Sequence, residues 1–427
     1  MLTRRDFFKI AGATIPAITS LDAASSPADG NTLYSHEKMP VIKSITAFRS
    51  TGNFYRFVGM NAYDTAPKGI NEVNPFIKVE LSDGTIGIGP GGYSAPNEAV
   101  LKDFQQFIGK DPFSFYTWNG DRITGVTPAM QPWFFDRKYA WFEAPLLDAI
   151  GKIKQVPVWK LFGDSVRDGL DPYDGTLYFE DIANHTGVTI IAETARRIKN
   201  DGYRAIKIKL GRPLKWMPGE AGLNRDIEAF IALREAVGSN FILLADANNG
   251  YKDRFDWALT LVKACAKYDL FFMEELFPKN RELFQKMREA LLQENIFMPV
   301  TYGEGVREMS IFEQDFKDGV YSYVQPDMAS SGMSAILSVS AKAEKYPYVK
   351  VMPHVWQNQM GTIMAAHASK IRQNIPSLED SRYFEHALNA SAMQFRDGQY
   401  FLSDRPGWGV ELAAEYKHYL VGEELSI

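Results

Sequence analysis

Cysteine is almost missing from this chain of 427 residues: Cys265 is the only one, so no intramolecular disulfide can form. There are only six histidines, and neither an HExxH nor a CxxC occurs, which argues against a zinc site. Beyond the N-terminus no apolar run approaches the ~20 residues that a membrane span requires, so no membrane anchor is expected. A basic excess is lacking too. With 47 Lys and Arg against 52 Asp and Glu, the net charge of −5 leaves no footprint for nucleic acid. Strict repeats and low-complexity tracts are absent. What remains is ordinary globular composition, 45% hydrophobic and 23% charged, in a chain long enough for a large barrel and a smaller second unit.

The N-terminus reads MLTRRDFFK, with Arg4 and Arg5 followed by Phe7 and Phe8. A mildly apolar stretch follows over 10–18, then small residues around Ala23, Ala24 and Ser25. This order of charged, apolar and small segments is that of an export signal, so residues 1–25 are set apart from the fold. The arginine pair resembles a twin-arginine signal, which implies the twin-arginine export machinery as a partner and a periplasmic or secreted location. No cysteine follows that would make a lipoprotein. Cys265 sits in the helical pattern WALTLVKACAKY and reads as a buried structural thiol.

Residues 41–94 read as strands and turns, with Asp83-Gly84 between alternating apolar runs as a hairpin signal. Residues 97–163 read as helical. Thereafter short apolar runs at 205–210, 241–245, 270–273, 298–302, 321–324 and 349–352 alternate with helical stretches. Such alternation predicts parallel strands with crossover helices, and so many units in series predict closure into a barrel. A first strand is expected near 172–176 and a last one near 382–384.

Barrel enzymes build their sites at the C-terminal ends of the strands. Here four successive runs end in acids: Asp246 in LLADAN, Glu274 in FFMEE, Glu304 in TYGEG and Asp327 in VQPDM. One such acid commonly only caps the next helix. Four converging carboxylates would repel one another unless a cation neutralised them, and hard oxygen ligands suit Mg²⁺. Upstream, alternation in YRAIKIKLG puts Lys207 and Lys209 on one face of a strand. A neighbouring ammonium and a divalent cation would bring such a lysine down toward neutrality and make it a usable base. Downstream, KVMPHVWQN ends a strand in His354, one unit after Asp327, so that a carboxylate could orient the imidazole. The other histidines read as structural. Gly87, Gly89 and Gly92 satisfy GxGxxG, but they follow a hairpin and are interrupted by Pro90 and Pro96, which argues against nucleotide binding.

Taken in order, these pieces resemble the mandelate racemase subgroup of the enolase superfamily. The resemblance rests on Lys207-x-Lys209, Asp246-x-Asn248, Glu274-Glu275, Gly303-Glu304, and Asp327 and His354 on adjacent strands. It extends to PGWGVEL at 406–412 and the segment DAIGKIKQVPVWKLFGDSVRD at 148–168. It implies an α/β fold: a modified (β/α)₈ barrel over 166–385 under an α+β capping domain over 40–165, with 386–427 returning to the cap. By the same resemblance Asp246, Glu274 and Glu304 would hold Mg²⁺, with Asn248 and Glu275 beside the metal or substrate. Lys209 would be the base on one face, with Lys207 next to it. His354, oriented by Asp327, would act on the other face, and Glu385 in RYFEH would bond the substrate carboxylate. A small-molecule carboxylate substrate and a homo-oligomer are implied.

The chain departs from the family pattern in three places. Leu276 follows the Glu pair where proline is usual, Pro90-Gly91-Gly92 stands where an acid is common, and the segment from His354 to Glu385 is long. The chemistry implied is removal of the proton α to a carboxylate through an enediolate. Dehydration of an acid sugar to a 2-keto-3-deoxy acid is the leading expectation. Racemisation or epimerisation is the alternative, and a non-catalytic sugar-acid binding protein the third reading.

Overall fold

The computed structural model describes residues 39–92, 98–183, 187–306 and 310–427. The export segment expected over 1–25 lies outside them. Three antiparallel strands, Ile42–Val58, Gly69–Leu81 and Ile86–Pro90, form the cap sheet. The second and third are joined through the Asp83-Gly84 turn, where Gly84 takes φ 87° and Thr85 N–H donates to Asp83 Oδ1 at 2.9 Å. The chain's end returns to this sheet, Leu425–Ser426 pairing with Thr46 and Ala47.

Helix Glu143–Ile153 lies across the third cap strand, and the glycines of the GxGxxG sequence make room for it. A Cβ on Gly87 would stand 1.8 Å from the Pro145 carbonyl oxygen, and one on Gly89 2.6 Å from Pro145 Cδ. The glycines therefore serve close packing. The PGWGVEL segment docks on the same helix. Buried Asp148 accepts from Trp408 N–H at 2.8 Å and Ile88 N–H at 2.9 Å, tying tail, cap sheet and helix together. The stretch 97–163 is not wholly helical as expected. Tyr116–Asn119 and Arg122–Val126 form an antiparallel hairpin about Gly120, where β-favouring Tyr, Trp, Ile and Val flank an Asn-Gly-Asp turn.

Eight parallel strands follow. The first five, Asp171–Leu177, Ala205–Lys209, Ile242–Asp246, Leu270–Glu274 and Val300–Thr301, pair in sequence, and Ser377–Asp380 pairs with the first. A bridge between Tyr302 and Val324 adds the sixth strand, Tyr323–Val324, which pairs with the seventh, Lys350–Val351. Val351 N–H donates to the Asn374 carbonyl just ahead of the eighth strand. The architecture is thus a TIM-like barrel with a capping domain. Its floor is apolar, built from Tyr173, Ala205, Leu244, Phe272, Tyr323 and Met352.

The last barrel strand is Ser377–Asp380, not the expected 382–384. Its sequence SLED has no β-branched residue and two acids, so it carries no strand signal. Tyr383–Glu385 instead pairs antiparallel with the first cap strand, Gly52 opposite Glu385.

One buried acid joins helix Glu143–Ile153 to the barrel. Glu143 accepts from Ser334 N–H at 2.9 Å and from the Ser334 hydroxyl, and burial pushes its carboxyl up to about 7 from 4.5. A folded-state pKa above the unfolded one means that stability is fully present below about pH 4.5 and lost as pH rises through about 7. The loss is on the order of a few kcal/mol. Glu143→Gln keeps the acceptor and has no charge to bury, so this component of the pH dependence should vanish from melting curves compared at pH 5 and pH 8.

Candidate active site

The second barrel strand is buried at all five positions, and alternation turns Lys207 and Lys209 inward. Lys207 Nζ lies 2.8 Å from Glu274 Oε2 and 2.7 Å from Glu379 Oε1. Lys209 bonds Asp246 Oδ2, its neighbour in register on the third strand. Aromatic faces complete both pockets: Lys207 stands 5.5 Å from the Tyr173 ring centroid and Lys209 5.1 Å from that of Tyr178. Burial pulls both lysines down, but Glu274 and Glu379 at Lys207, and Asp246 at Lys209, outweigh it and raise both. Each ammonium has its own carboxylate partner.

Past the strand ends the backbone turns sharply. Asn248 (φ 43°) and Asn249 (φ 58°) take the left-handed conformation that asparagine tolerates, and Glu275 (φ 46°) takes it at a cost. Asn248 donates to Asp246 through its N–H at 2.7 Å and its Nδ2 at 3.1 Å, which leaves its Oδ1 buried and without a partner among the described residues. Glu274 Oε1 is likewise buried and unpartnered. Burial, with Asp246 and Glu379 nearby, pushes the Glu274 carboxyl up to about 7 despite Lys207. Burial and then Glu304, Asp246 and Glu274 raise Glu275 well above the usual range. Asp246 is instead lowered, because Lys209 and Lys207 overcome its burial.

Asp327 caps helix Met328–Ala343, its Oδ1 accepting from Ser330 N–H at 2.8 Å and the Ser330 hydroxyl at 2.5 Å. The cap fixes its other oxygen, Oδ2, 2.8 Å from His354 Nδ1. His354 Nε2 is 3.5 Å from Glu304 Oε2. Burial disfavours the imidazolium, but Glu304, Glu379 and the bond from Asp327 more than compensate and raise His354 to about 10. Asp327 is held low by His354 in spite of its own burial.

The structure therefore gathers Lys207, Lys209, Asp246, Asn248, Glu274, Glu275, Glu304, Asp327 and His354 at one barrel mouth. Glu385 is not among them. It belongs to the cap sheet, where its Oε1 accepts from Asn74 Nδ2 at 2.9 Å and burial pushes it up to about 8, with no link to Lys207, Lys209 or His354. The acid that the eighth strand supplies to the site is Glu379, which sequence reading missed. It is fully buried, holds Lys207, and accepts from Val355 N–H at 3.1 Å through Oε2. The long interval before Glu385 contains helix Gln359–Ile371 and this strand, so the barrel acid stands six residues earlier.

Among the described residues no three acidic, histidine or cysteine side chains converge closely enough to hold a metal ion. Asp246 and Glu274 are drawn to ammonium groups, and Glu304 leans toward His354 with its side chain 30% exposed. The donor set nevertheless fits a hard dication. Its atoms are carboxylate and amide oxygens, two of them buried without partners, and its acids crowd closely enough to raise Glu275. From the cap, the loop after the first strand reaches the mouth: Trp216 Nε1 donates to the Asn61 carbonyl at 2.8 Å, and burial, with Glu275, Asp246 and Glu304 nearby, raises the Tyr63 hydroxyl.

The model of the enolase C-terminal domain-like family matches residues 190–417, more than half of the chain. The chain belongs to that family. Within the enolase superfamily its relatives are of the mandelate racemase and muconate lactonizing kind. It is 29% identical over 365 residues to 3,6-anhydro-alpha-L-galactonate cycloisomerase of Streptomyces coelicolor, covering 79% of this chain and 89% of that one. It is 26% identical over 371 residues to L-rhamnonate dehydratase of Saccharopolyspora erythraea, covering 81% and 85%. A mandelate racemase/muconate lactonizing protein of a Geobacillus species, solved with magnesium and tartrate, superposes with a TM-score of 0.76 at 22% identity. That match covers 90% of this chain and 96% of the other. The enolase-family barrel and cap described above are the architecture these likenesses share.

Proposed function

We propose that this enolase-family protein is a Mg²⁺-dependent lyase that dehydrates an acid sugar to a 2-keto-3-deoxy acid. The observation that carries the reading is the pairing of Lys209 on the second strand with the Asp327–His354 couple at the end of the seventh, with acids between them. Binding alone has no use for two proton-transfer groups from separate strands. The named relatives, a sugar-acid dehydratase and a cycloisomerase, support the same class of chemistry.

Asp246, Glu274 and Glu304 would hold Mg²⁺, which supplies the positive charge that an enediolate requires. Lys209, once released from Asp246, gives its own proton to solvent, and the free amine then takes the α-proton. Lys207, held by Glu274 and Glu379, stays charged and adds to the positive field. His354 enters protonated and gives its proton to the departing β-hydroxyl, so water leaves and the enol product tautomerises to the keto acid. The cap loop with Tyr63 covers the mouth, which excludes solvent and reads the distal end of the sugar. A panel of acid sugars with Mg²⁺ should yield a 2-keto product from at least one member, and EDTA should abolish it. Interconversion of epimers without keto product would favour a 1,1-proton transfer, and binding without either reaction would favour a binding protein.

Twin-arginine export and homo-oligomeric assembly belong to the same proposal, the first supported by Arg4 and Arg5. Replacing both arginines by lysine should retain active protein in the cytoplasm, measured by fractionation. Normal export of that variant would contradict the twin-arginine reading.

A further inference from the structure

Gln325 is fully buried just past the end of the sixth barrel strand, and both its Oε1 and its Nε2 lack a partner among the described residues. Burying an amide with nothing to bond is costly, so two idle atoms on one side chain call for a cause. The register of the barrel supplies it. In an eight-stranded barrel, side chains of alternate strands share a layer, and moving two strands along shifts the layer by about two residues. Lys207 aligns with Leu244, the neighbouring row reaches Phe272, and two residues on stands Glu274. The 2.8 Å contact between Lys207 and Glu274 agrees. Glu274 aligns with Thr301, the bridge from Tyr302 to Val324 carries that row to Tyr323, and two residues on stands Gln325. On the eighth strand Glu379 aligns with Tyr173 and reaches Lys207 at 2.7 Å. Lys207, Glu274, Gln325 and Glu379 are therefore one layer, contributed by the second, fourth, sixth and eighth strands. It rests directly on the apolar floor of Tyr173, Phe272 and Tyr323.

Three members of this layer are tied by charge. The fourth has an idle donor, and its neighbour Glu274 has an idle acceptor in Oε1. We infer that Gln325 is a positioning residue for Glu274, its amide donating to a trapped water that in turn donates to Oε1. Lys207 already holds Oε2, so the second anchor fixes the carboxylate plane and leaves the remaining lone pair of Oε1 directed at the cation site. This inference rests on Glu274 being a metal ligand, as proposed above.

The test is calorimetric titration of the apoprotein with Mg²⁺ alone, alongside its melting temperature, for the wild type, Gln325→Met and Gln325→Asn. Met fills the volume without an amide, and Asn withdraws the amide by one methylene. Both should bind Mg²⁺ about 10–100-fold more weakly, the usual consequence of losing a group that orients a ligand. The apoprotein of the Met variant should melt no lower than the wild type, because an unpaired polar group has been removed. A merely structural role would give the reverse: a lower melting temperature with unchanged affinity. If the wild type binds Mg²⁺ and both variants bind it equally well, the role given to Gln325 is wrong and the metal reading stands. If the wild type binds no Mg²⁺, the metal reading fails and takes this inference with it. Should the Met variant not fold, the Asn variant decides by the same titration.

Discussion

Lys209→Ala and His354→Asn should each reduce turnover of an acid sugar by about 10²–10⁴-fold, yet they should fail at different steps. The lysine lies on Asp246 and the imidazole on Asp327, so each has its own orienting carboxylate and neither can stand in for the other. His354→Asn keeps a hydrogen-bonding side chain but has no proton to give a leaving hydroxyl. It should still exchange the α-proton with solvent and lose keto product. Lys209→Ala should lose both. The opposite pattern, exchange lost in His354→Asn and kept in Lys209→Ala, would exchange the roles of base and acid while leaving dehydration in place. Rapid quench for product and NMR for exchange separate these outcomes.

Asp246→Asn should be equally damaging, through the metal. Asp246 aligns with Lys209 on one side and Glu274 on the other, so it sits at the centre of the charge cluster. Its carboxylate is held low by the two lysines and is the acid best kept ionised for a cation. Asparagine retains the size and loses the charge, which leaves two buried ammonium groups facing a site meant for a dication. Mg²⁺ affinity should fall by more than the ~10–100-fold expected when only a supporting residue is changed. Glu275→Gln is the matched comparison. Its carboxyl holds neither lysine and is not among the proposed ligands, so an amide should cost less than Glu274→Gln does. Equal losses for Glu274→Gln and Glu275→Gln would show that the pair has been read the wrong way round.

The barrel was legible because its strands carry apolar runs and its site residues end them. Ala205–Lys209, Ile242–Asp246 and Leu270–Glu274 fall within a residue of the expected runs, and the structure brings their terminal acids and lysines together. The eighth strand was not legible. Ser377–Asp380 is four residues long and half acid, and its partner is a strand some two hundred residues earlier, so nothing local announces it. With that strand illegible, Glu379 and its hold on Lys207 went unseen, while Glu385, read as bonding the substrate carboxylate, lies in the cap sheet. The partners of the lysines were not legible for a related reason. Lys207-x-Lys209 shows two cations side by side, whereas the carboxylates that neutralise them come from three other strands. Gln325 was not legible because an amide at a strand end carries no signal until register places it in the layer of Glu274.

The central claim is that this mouth removes an α-proton from a carboxylate, and proton exchange tests it without knowing the final product. The wild-type protein with Mg²⁺ should be incubated in D₂O with a panel of sugar acids and followed by ¹H NMR. The α-proton signal should be lost, or deuterium should appear in the product, for at least one acid sugar, and neither should occur after Lys209→Ala. Turnover of such an acid with the α-proton fully retained would contradict the claim.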